Sequence, residues 1–308
     1  MGSGVEAITY LSMKKPLIGF IGQGFIGKSY ADDFERRGYT VVRYSLEERY
    51  RANKNKIKEC DIVFIAVPTP TTPRGFDYSI VREGLGLVGP AKTAVIKSTI
   101  LPGTTQKLQK QFPKLYVMHS PEFLVLKQAA EDAARPLRNI VGVSKNTKAF
   151  RDRAHIILRT LPKAPFEVVC GVREAELVKY AGNFFLYLRV LFANLIFDLA
   201  KASGADYEVV RAAVAADPRI GASHLQVVHD SGHKGAKLGR GAGGVCFIKD
   251  VAALAELYGK SVKDPWGDKF LAAAIEKNLH LLVTSNKDLD LVEGVHGKAA
   301  VARHRKRR

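Results

Sequence analysis

Short apolar segments recur along the first half of the chain, and longer segments with a helical spacing of apolar residues separate them. The short segments are rich in β-branched residues, and Gly, Pro, Ser or Thr soon follows each of them. Near-continuous apolarity over so few residues is typical of parallel strands covered on both faces. The pattern therefore predicts a doubly wound α/β sheet. The predicted strands lie at residues 17–21, 40–44, 61–67, 94–96, 115–118, 139–143 and 166–169.

The pattern becomes helical after residue 170, and its most apolar stretch is 181–200. Arg189 and Asp198 interrupt this stretch, and charges are costly inside a membrane. We therefore expect a buried core helix and no membrane partner. The predicted organisation has four parts. They are a lead-in without structure at 1–13, a Rossmann-like dinucleotide-binding domain at 14–170, an all-helical domain at 171–290 and a disordered basic tail at 291–308.

Composition adds limits on partners and compartment. The net charge of +18 favours anionic ligands such as phosphates, or is simply a solvated basic surface. The basic residues at 303–308 could bind nucleic acid. We do not favour this function, because no recognised nucleic-acid-binding fold accompanies them. Three scattered cysteines predict neither a disulfide framework nor a metal site, and they indicate a reducing cytoplasm.

A glycine motif follows the first predicted strand and opens a helix. Gly22 permits a tight turn, Gly24 lets a pyrophosphate approach the backbone, and Gly27 allows close packing of the helix on the strand. Phe25 and Ile26 complete the motif at the helix start. A strand, a turn and a helix in this order predict a dinucleotide cofactor.

The position expected to contact the cofactor's ribose holds Ser45. A hydroxyl with Arg43 and Arg49 nearby suits a 2′-phosphate, which would make the cofactor NADP. Glu47 or Glu48 could instead accept from the ribose hydroxyls, which would make it NAD. The sequence leaves both cofactors open.

Residues 241–250 place Cys246 behind several glycines and just ahead of Lys249 and Asp250. Glycine allows a ligand to approach the backbone closely, so Cys246 is a candidate nucleophile. The alternative is an inert buried thiol. Three further segments, at 67–70, 97–105 and 120–123, each follow a predicted strand at the edge where open α/β sheets bind ligands.

Together and in this order, these segments resemble the UDP-glucose/GDP-mannose dehydrogenase family over about residues 16–282. The resemblance implies an NAD(P)-dependent enzyme that oxidises the primary alcohol of a sugar or nucleotide sugar to a carboxylate in two hydride transfers. It also implies a homodimer built on the long helix after residue 171. Cys246 would form a thiohemiacetal and then a thioester.

The resemblance further assigns roles to individual residues. Lys179 and Asn183, four residues apart on one helical face, would stabilise an oxyanion, and Lys179 and Lys249 would lower the Cys246 pKa. Asp250 would orient a lysine or relay a proton, while Glu122 and Thr99 would activate water. The implied cofactor contacts outside the glycine motif are Ser45, Pro68, Thr69, Thr99 and Lys249. The implied substrate contacts are Glu122, Phe123, Leu124, Lys179, Asn183, Gly243 and Arg219, the last reaching a neighbouring subunit.

The chain departs from the family pattern in two respects. Leu126 replaces a second glutamate, which affects the water-handling half of the reaction. Too few residues follow Asp250 for the family's third domain, which holds the nucleotide. We therefore expect one of three situations: a smaller substrate, a partner chain that completes the site, or a catalytically impaired cofactor-binding scaffold.

Overall fold

The computed structural model describes residues 15–233 and 235–306, so the predicted lead-in at 1–13 lies outside the described residues. This part of the chain contains nine strands and twelve α-helices. The first six helices lie between the strands in sequence, and the other six follow the last strand. The strands are β1 Ile18–Ile21, β2 Val41–Tyr44, β3 Ile62–Ile65, β4 Thr71–Thr72, β5 Gly75–Phe76, β6 Thr93–Ile96, β7 Tyr116–His119, β8 Arg138–Val143 and β9 Phe166–Gly171. The helices are α1 Phe25–Arg36, α2 Glu48–Arg51, α3 Ser79–Leu85, α4 Thr104–Gln111, α5 Ala129–Ala134, α6 Lys148–Thr160, α7 Val172–Ser203, α8 Tyr207–Ala215, α9 Gly244–Ser261, α10 Pro265–Thr284, α11 Leu289–His296 and α12 Lys298–Arg305.

Seven strands form one sheet in the order β2-β1-β3-β6-β7-β8-β9, and β4 and β5 form a separate hairpin. The first five strands of the sheet are parallel, as predicted. The expectation of parallel strands is wrong at β8, which pairs antiparallel with β7. Apolar runs report burial on both faces, and they carry no information about strand direction. The chain reverses its winding direction at β1, whose neighbours are β2 and β3, and ligands bind at such a switch point.

The two faces of the sheet pack against different helices. One cluster joins Phe20 and Phe64 to Phe34 of α1, with ring centroids 5.0 and 5.5 Å from Phe20. The other joins Ile21 and Ile65 to helices α3 and α4. Successive strand residues therefore enter different apolar clusters, which explains the near-continuous apolarity of each strand.

Helix α7 begins directly after β9 and packs closely on β8. A Cβ at Gly142 would lie 2.7 Å from the Ala175 Cβ, so glycine is required for this approach. Glu176 accepts hydrogen bonds from the Gly103 and Thr105 amides at 2.6 and 2.8 Å. These amides lie at the start of α4, so a buried carboxylate on α7 caps a helix of the sheet domain.

Within the described residues, α7 is long and apolar enough to cross a membrane by length and composition alone. Its charged residues Glu176 and Lys179 are buried and bonded to the sheet domain. Arg189 donates to the carbonyls of Ile220, Gly221 and Ser223, and so ties the segment after α8 to the helix.

The prediction of a disordered tail at 291–308 is wrong for residues 291–306, which form the end of α11 and all of α12. Val292 and Val301 are fully or almost fully buried and pack against Leu279 and Leu282 of α10. Helically spaced apolar residues anchor this segment, although its overall composition is basic. Residues 307–308 lie outside the described part of the chain.

The packing of α12 predicts a measurable contribution to stability. Val301→Ala removes buried methyl groups and should lower the free energy of unfolding by about 1–3 kcal/mol. Urea unfolding of both proteins measures this difference. The matched control is Val262→Ala, since Val262 is 55% exposed at the end of α9. Equal stability of Val301→Ala and the native chain would contradict the packing of α12.

Candidate active site

The glycine turn between β1 and α1 is built for close approach of a ligand. Gly22 has a φ of +91°, and a Cβ there would lie 2.2 Å from the Ala66 carbonyl oxygen. A Cβ at Gly27 would lie 2.0 Å from the Gly22 oxygen, whereas the Cβ position of Gly24 meets nothing within 4 Å. Helix α1 has no side-chain cap, so amides of its first turn are available to an anion. The turn therefore fits a dinucleotide pyrophosphate.

Carboxylates already engage Arg43 of β2 and Arg49 of α2. Arg43 pairs with Asp32 and Glu35, both at 2.7 Å, and Arg49 pairs with Glu47 at 2.9 Å. The Ser45 hydroxyl accepts from the Glu47 amide at 3.2 Å. Neutralised guanidinium groups offer less to a 2′-phosphate than free ones, so this geometry favours NAD over NADP.

The loops after β3 and β6 are joined at the same edge of the sheet. The Thr69 hydroxyl donates to the Thr99 carbonyl at 2.7 Å. The Ser98 hydroxyl donates to the Val67 carbonyl at 2.7 Å and accepts from the Val67 amide at 3.0 Å. Pro68 and Thr69 therefore lie beside Thr99, after β3 and β6, and β3 is a neighbour of β1, which the glycine turn follows.

Glu122 and Lys179 form a buried ion pair between the loop after β7 and helix α7. Their side chains are 3% and 7% exposed, and Lys179 Nζ lies 2.8 Å from Glu122 Oε1. Glu122 Oε2 accepts from the Leu124 amide at 2.8 Å. The Phe123 ring lies 3.7 Å from the Arg138 guanidinium carbon and 5.7 Å from Lys179 Nζ. The pair thus fixes the loop of the predicted substrate residues Phe123 and Leu124.

A second network joins α7 to the cysteine helix α9. Asn183 donates to Asp250 Oδ2 at 2.7 Å, and Lys249 donates to Asp250 Oδ1 at 2.5 Å. Cys246 lies in the first turn of α9, one turn before Asp250. The charges of Lys179, Asp250, Lys249 and Glu122 all act on its thiol. Five of the six predicted catalytic residues are therefore brought together, and the sixth, Thr99, lies at the adjoining sheet edge.

Two domain models of one family match most of the chain. Residues 43–161 match the NAD binding domain of the UDP-glucose/GDP-mannose dehydrogenase family, and residues 173–279 match its central domain. The chain belongs to this family. The match confirms the predicted family, and the NAD binding domain agrees with the predicted cofactor class.

Individual relatives of the family differ in how much of their length the chain covers. UDP-glucose 6-dehydrogenase TuaD of Bacillus subtilis (strain 168) is 32% identical over 72% of this chain and 47% of its own length. UDP-glucose 6-dehydrogenase AglM of Haloferax volcanii is 27% identical over 85% of this chain and 69% of its own length. The structure of a UDP-glucose dehydrogenase from the archaeon Pyrobaculum islandicum superposes with a TM-score of 0.72 at 27% identity, covering 92% of this chain and 71% of that one. The chain thus spans about half the length of the Bacillus relative.

Lys179 and Lys249 lower the pKa of the Cys246 thiol, as predicted, but they do not set the direction of the overall shift. Burial raises the pKa of the Cys246 thiol, and this effect outweighs the opposing influence of Lys179 and Lys249. Asp250 and Glu122 raise it further. For Lys179, burial alone would lower the pKa, but Glu122 and the other nearby acidic groups raise it overall, so the lysine is cationic. The site therefore holds a protonated thiol beside a charged lysine.

Two of the predicted substrate residues lie in different surroundings. The Arg219 side chain is 86% exposed and pairs with Asp217 at 2.6 Å, outside the group around Cys246. Gly243 is the N-cap residue of α9, and a Cβ there would lie 2.0 Å from Asp288 Oδ2. Gly243 is therefore required by packing inside the chain, whatever its contact with a substrate.

Sequence reasoning missed Lys97 as a site residue. Its side chain is buried, donates to the Ser120 hydroxyl at 3.1 Å and lies 4.4 Å from the Tyr30 ring. Burial lowers the pKa of Lys97 to about 7, against the opposing charge of Glu122. The available signal was a lysine directly after a fully apolar strand, a position where a charged side chain is unusual.

The electrostatics of the thiol predict a specific pH dependence of its alkylation. The midpoint for Cys246 should lie above the ordinary thiol value, because burial favours the neutral form. Asp250→Asn should lower this midpoint by about one pH unit, and Lys249→Met should raise it by a similar amount. Iodoacetamide labelling read by peptide mass spectrometry measures each profile.

The control for these two variants is Lys260→Met, because Lys260 lies far along the same helix and pairs with Glu256. Its midpoint should equal that of the native chain. A native midpoint below the ordinary thiol value would contradict the dominant role of burial.

Proposed function

We propose that the protein catalyses the NAD-dependent oxidation of the primary alcohol of a nucleotide sugar towards the carboxylate. The observation that carries the proposal is the convergence of Glu122–Lys179 and Asn183–Asp250 on Cys246, with Glu122 at the carboxyl edge of the sheet that also carries the glycine turn. The names of the relatives, UDP-glucose 6-dehydrogenases, support UDP-glucose as the first substrate to test. When bound, NAD supplies the hydride acceptor for both oxidations.

Lys179 and Asn183 hold the oxygen of the reacting carbon. They lie one turn apart on α7, and the Lys179 ammonium is held in place by Glu122. A fixed cation and an amide donor stabilise negative charge that develops on this oxygen. Because both donors are already bound to carboxylates, they need little reorganisation during the reaction.

When the alcohol has lost a hydride to the cofactor and its hydroxyl proton to water, Cys246 adds to the carbon of the resulting aldehyde. The S–C bond forms while the carbonyl electron pair moves to the oxygen, which Lys179 and Asn183 stabilise. Since the raised pKa keeps the thiol protonated, its proton must leave as the bond forms. In this step Asp250, which accepts from Asn183, relays that proton to the oxygen. The product is a thiohemiacetal, and its oxidation gives a thioester.

Glu122 is the base for thioester hydrolysis. It takes a proton from water as the water oxygen bonds to the carbonyl carbon, and the C–S bond then breaks to release the Cys246 thiolate. The Thr99 loop lies at the adjoining sheet edge and positions that water. Leu126, in a short 3₁₀ turn after Glu122, supplies no second carboxylate here. The base in this half of the reaction is therefore Glu122.

The role of Leu126 also motivates a second candidate function, a cofactor-binding scaffold with impaired turnover that a partner chain completes. The loss of one carboxylate from the water-handling region favours it. Retention of Cys246, Lys179, Asn183 and Asp250 in one connected group favours the enzyme. Measured NAD binding without hydride transfer on any sugar nucleotide would identify the scaffold.

The enzyme hypothesis predicts NAD reduction in the presence of UDP-glucose, GDP-mannose or an N-acetylated relative. Cys246→Ala should lower the rate of carboxylate formation by more than about 1000-fold, since it removes the nucleophile. Nicotinamide absorbance measures NAD reduction, and mass spectrometry of the product measures carboxylate formation. Cys170→Ala is the matched control and should retain the native rate, because Cys170 lies on β9. An inactive native chain, indistinguishable from Cys246→Ala across the panel, would refute the enzyme hypothesis for these substrates.

Helix α7 presents a contiguous apolar face to solvent. Five large residues at helical spacing share it, with exposed fractions between 46% and 64%. They are Leu177, Phe185, Phe192, Leu195 and Leu199. Apolar patches of this kind mark interfaces, and a straight helix can pair with a second copy of itself about a two-fold axis. We therefore propose that the protein is a homodimer joined through α7.

The dimer proposal predicts that Phe185→Asp shifts the protein to the monomer by placing a charge in the buried centre of the interface. Sedimentation equilibrium measures the mass. Phe166→Asp is the control, since Phe166 is 56% exposed at the start of β9 and lies outside this face. A native monomer, or an unaltered dimer in Phe185→Asp, would contradict the assignment.

A further inference from the structure

Residues 240–244 form the glycine loop that leads to Cys246. This loop is bonded to α10 and to the residues that follow α10. Asn278 of α10 accepts from the Ala242 amide at 2.7 Å and donates to the Ala242 carbonyl at 2.9 Å. The Ser285 hydroxyl accepts from the Arg240 amide at 3.0 Å. These bonds hold the loop on the side that faces α10, although glycines make up much of it.

Two adjacent buried residues complete this contact. Lys287 is fully buried and donates to the Gly241 carbonyl at 3.0 Å. Asp288 is also buried, and its Oδ2 accepts from the Gly244 amide at 2.7 Å and from the Ser231 hydroxyl at 2.5 Å. The lysine therefore holds the loop five residues before Cys246, and the aspartate holds it two residues before.

Asp288 also replaces a missing helix cap. The N-cap residue of α9 is Gly243, which has no side chain to accept from the first-turn amides. The Asp288 carboxylate reaches the Gly244 amide from elsewhere in the sequence and takes that role. Since Cys246 lies in this first turn, the cap fixes the orientation of the turn that carries the thiol.

The backbone at this position is unusual. Asp288 has a φ of +52° and Asn286 a φ of +55°, in the left-handed region that non-glycine residues seldom adopt. Such conformations persist where the surrounding contacts require them. The Lys287–Asp288 pair also lies beyond residues 173–279, which match the family's central domain. Only the Lys287–Asp288 side of the contact is thus outside the matched range, while Gly241 and Gly244 lie within it.

We propose that Lys287 and Asp288 are positioning residues for Cys246, which hold its loop and cap its helix so that the thiol meets Lys179 and Asp250. The inference rests on the proposed role of Cys246 as nucleophile. Loss of these contacts would free the first turn of α9 and expose the Cys246 thiol. Alkylation of Cys246 should then become faster while turnover becomes slower.

The test uses two substitutions at Asp288 in the full chain. Asp288→Gly accepts the left-handed backbone but removes the cap, whereas Asp288→Asn keeps both the backbone preference and an oxygen acceptor. Asp288→Gly should alkylate Cys246 with iodoacetamide about tenfold faster at neutral pH, corresponding to a midpoint about one pH unit lower. Asp288→Asn should alkylate Cys246 within about twofold of the native rate, because asparagine also caps helices.

Asn286→Gly is the matched control, because it alters the exposed neighbouring left-handed position without touching the loop, and it should alkylate at the native rate. A native alkylation profile in Asp288→Gly would overturn the inference. Equal acceleration in Asp288→Gly and Asp288→Asn would assign the effect to charge and overturn the capping role. Alkylation needs neither NAD nor substrate, so a chain that oxidises no alcohol would refute the proposed function and leave this result standing.

Discussion

The buried ion pair between Glu122 and Lys179 joins the two halves of the molecule at the point where the chemistry would take place. Glu122 follows β7 at the carboxyl edge of the sheet, and Lys179 lies on α7. With both side chains less than a tenth exposed, removal of one partner would leave an uncompensated charge, at a cost of about 3–5 kcal/mol. The pair therefore requires the sheet and α7 to keep one relative position.

Other contacts across the same boundary depend on that position. Glu176 lies one turn before Lys179 on α7 and caps α4 through the Gly103 and Thr105 amides. Asn183 lies one turn after Lys179 and reaches Asp250 on α9. Three successive turns of one helix thus bind a helix of the sheet domain, the loop after β7 and the cysteine helix. Because the spacing of these turns is fixed, Cys246 is placed relative to the cofactor edge of the sheet.

Burial and the two nearby lysines act on the pKa of the Cys246 thiol in opposite directions. The glycines of residues 241–244 allow the loop to approach its neighbours closely. Burial raises the thiol pKa despite the nearby lysines. A protonated thiol reacts slowly until a base accepts its proton, which gives Asp250 a defined part in the proposed mechanism.

The sequence by itself determined the sheet, the glycine turn and the identity of the residues around Cys246, because these depend on local spacing and on residue types that few other structures require. Tertiary structure alone decided the direction of β8, the sign of the Cys246 pKa shift and the folding of residues 291–306 into helices. Direction, desolvation and helix packing depend on contacts between distant segments. The Lys287–Asp288 contact belongs to the same class, since nothing in the local pattern of those residues shows that they reach Gly241 and Gly244.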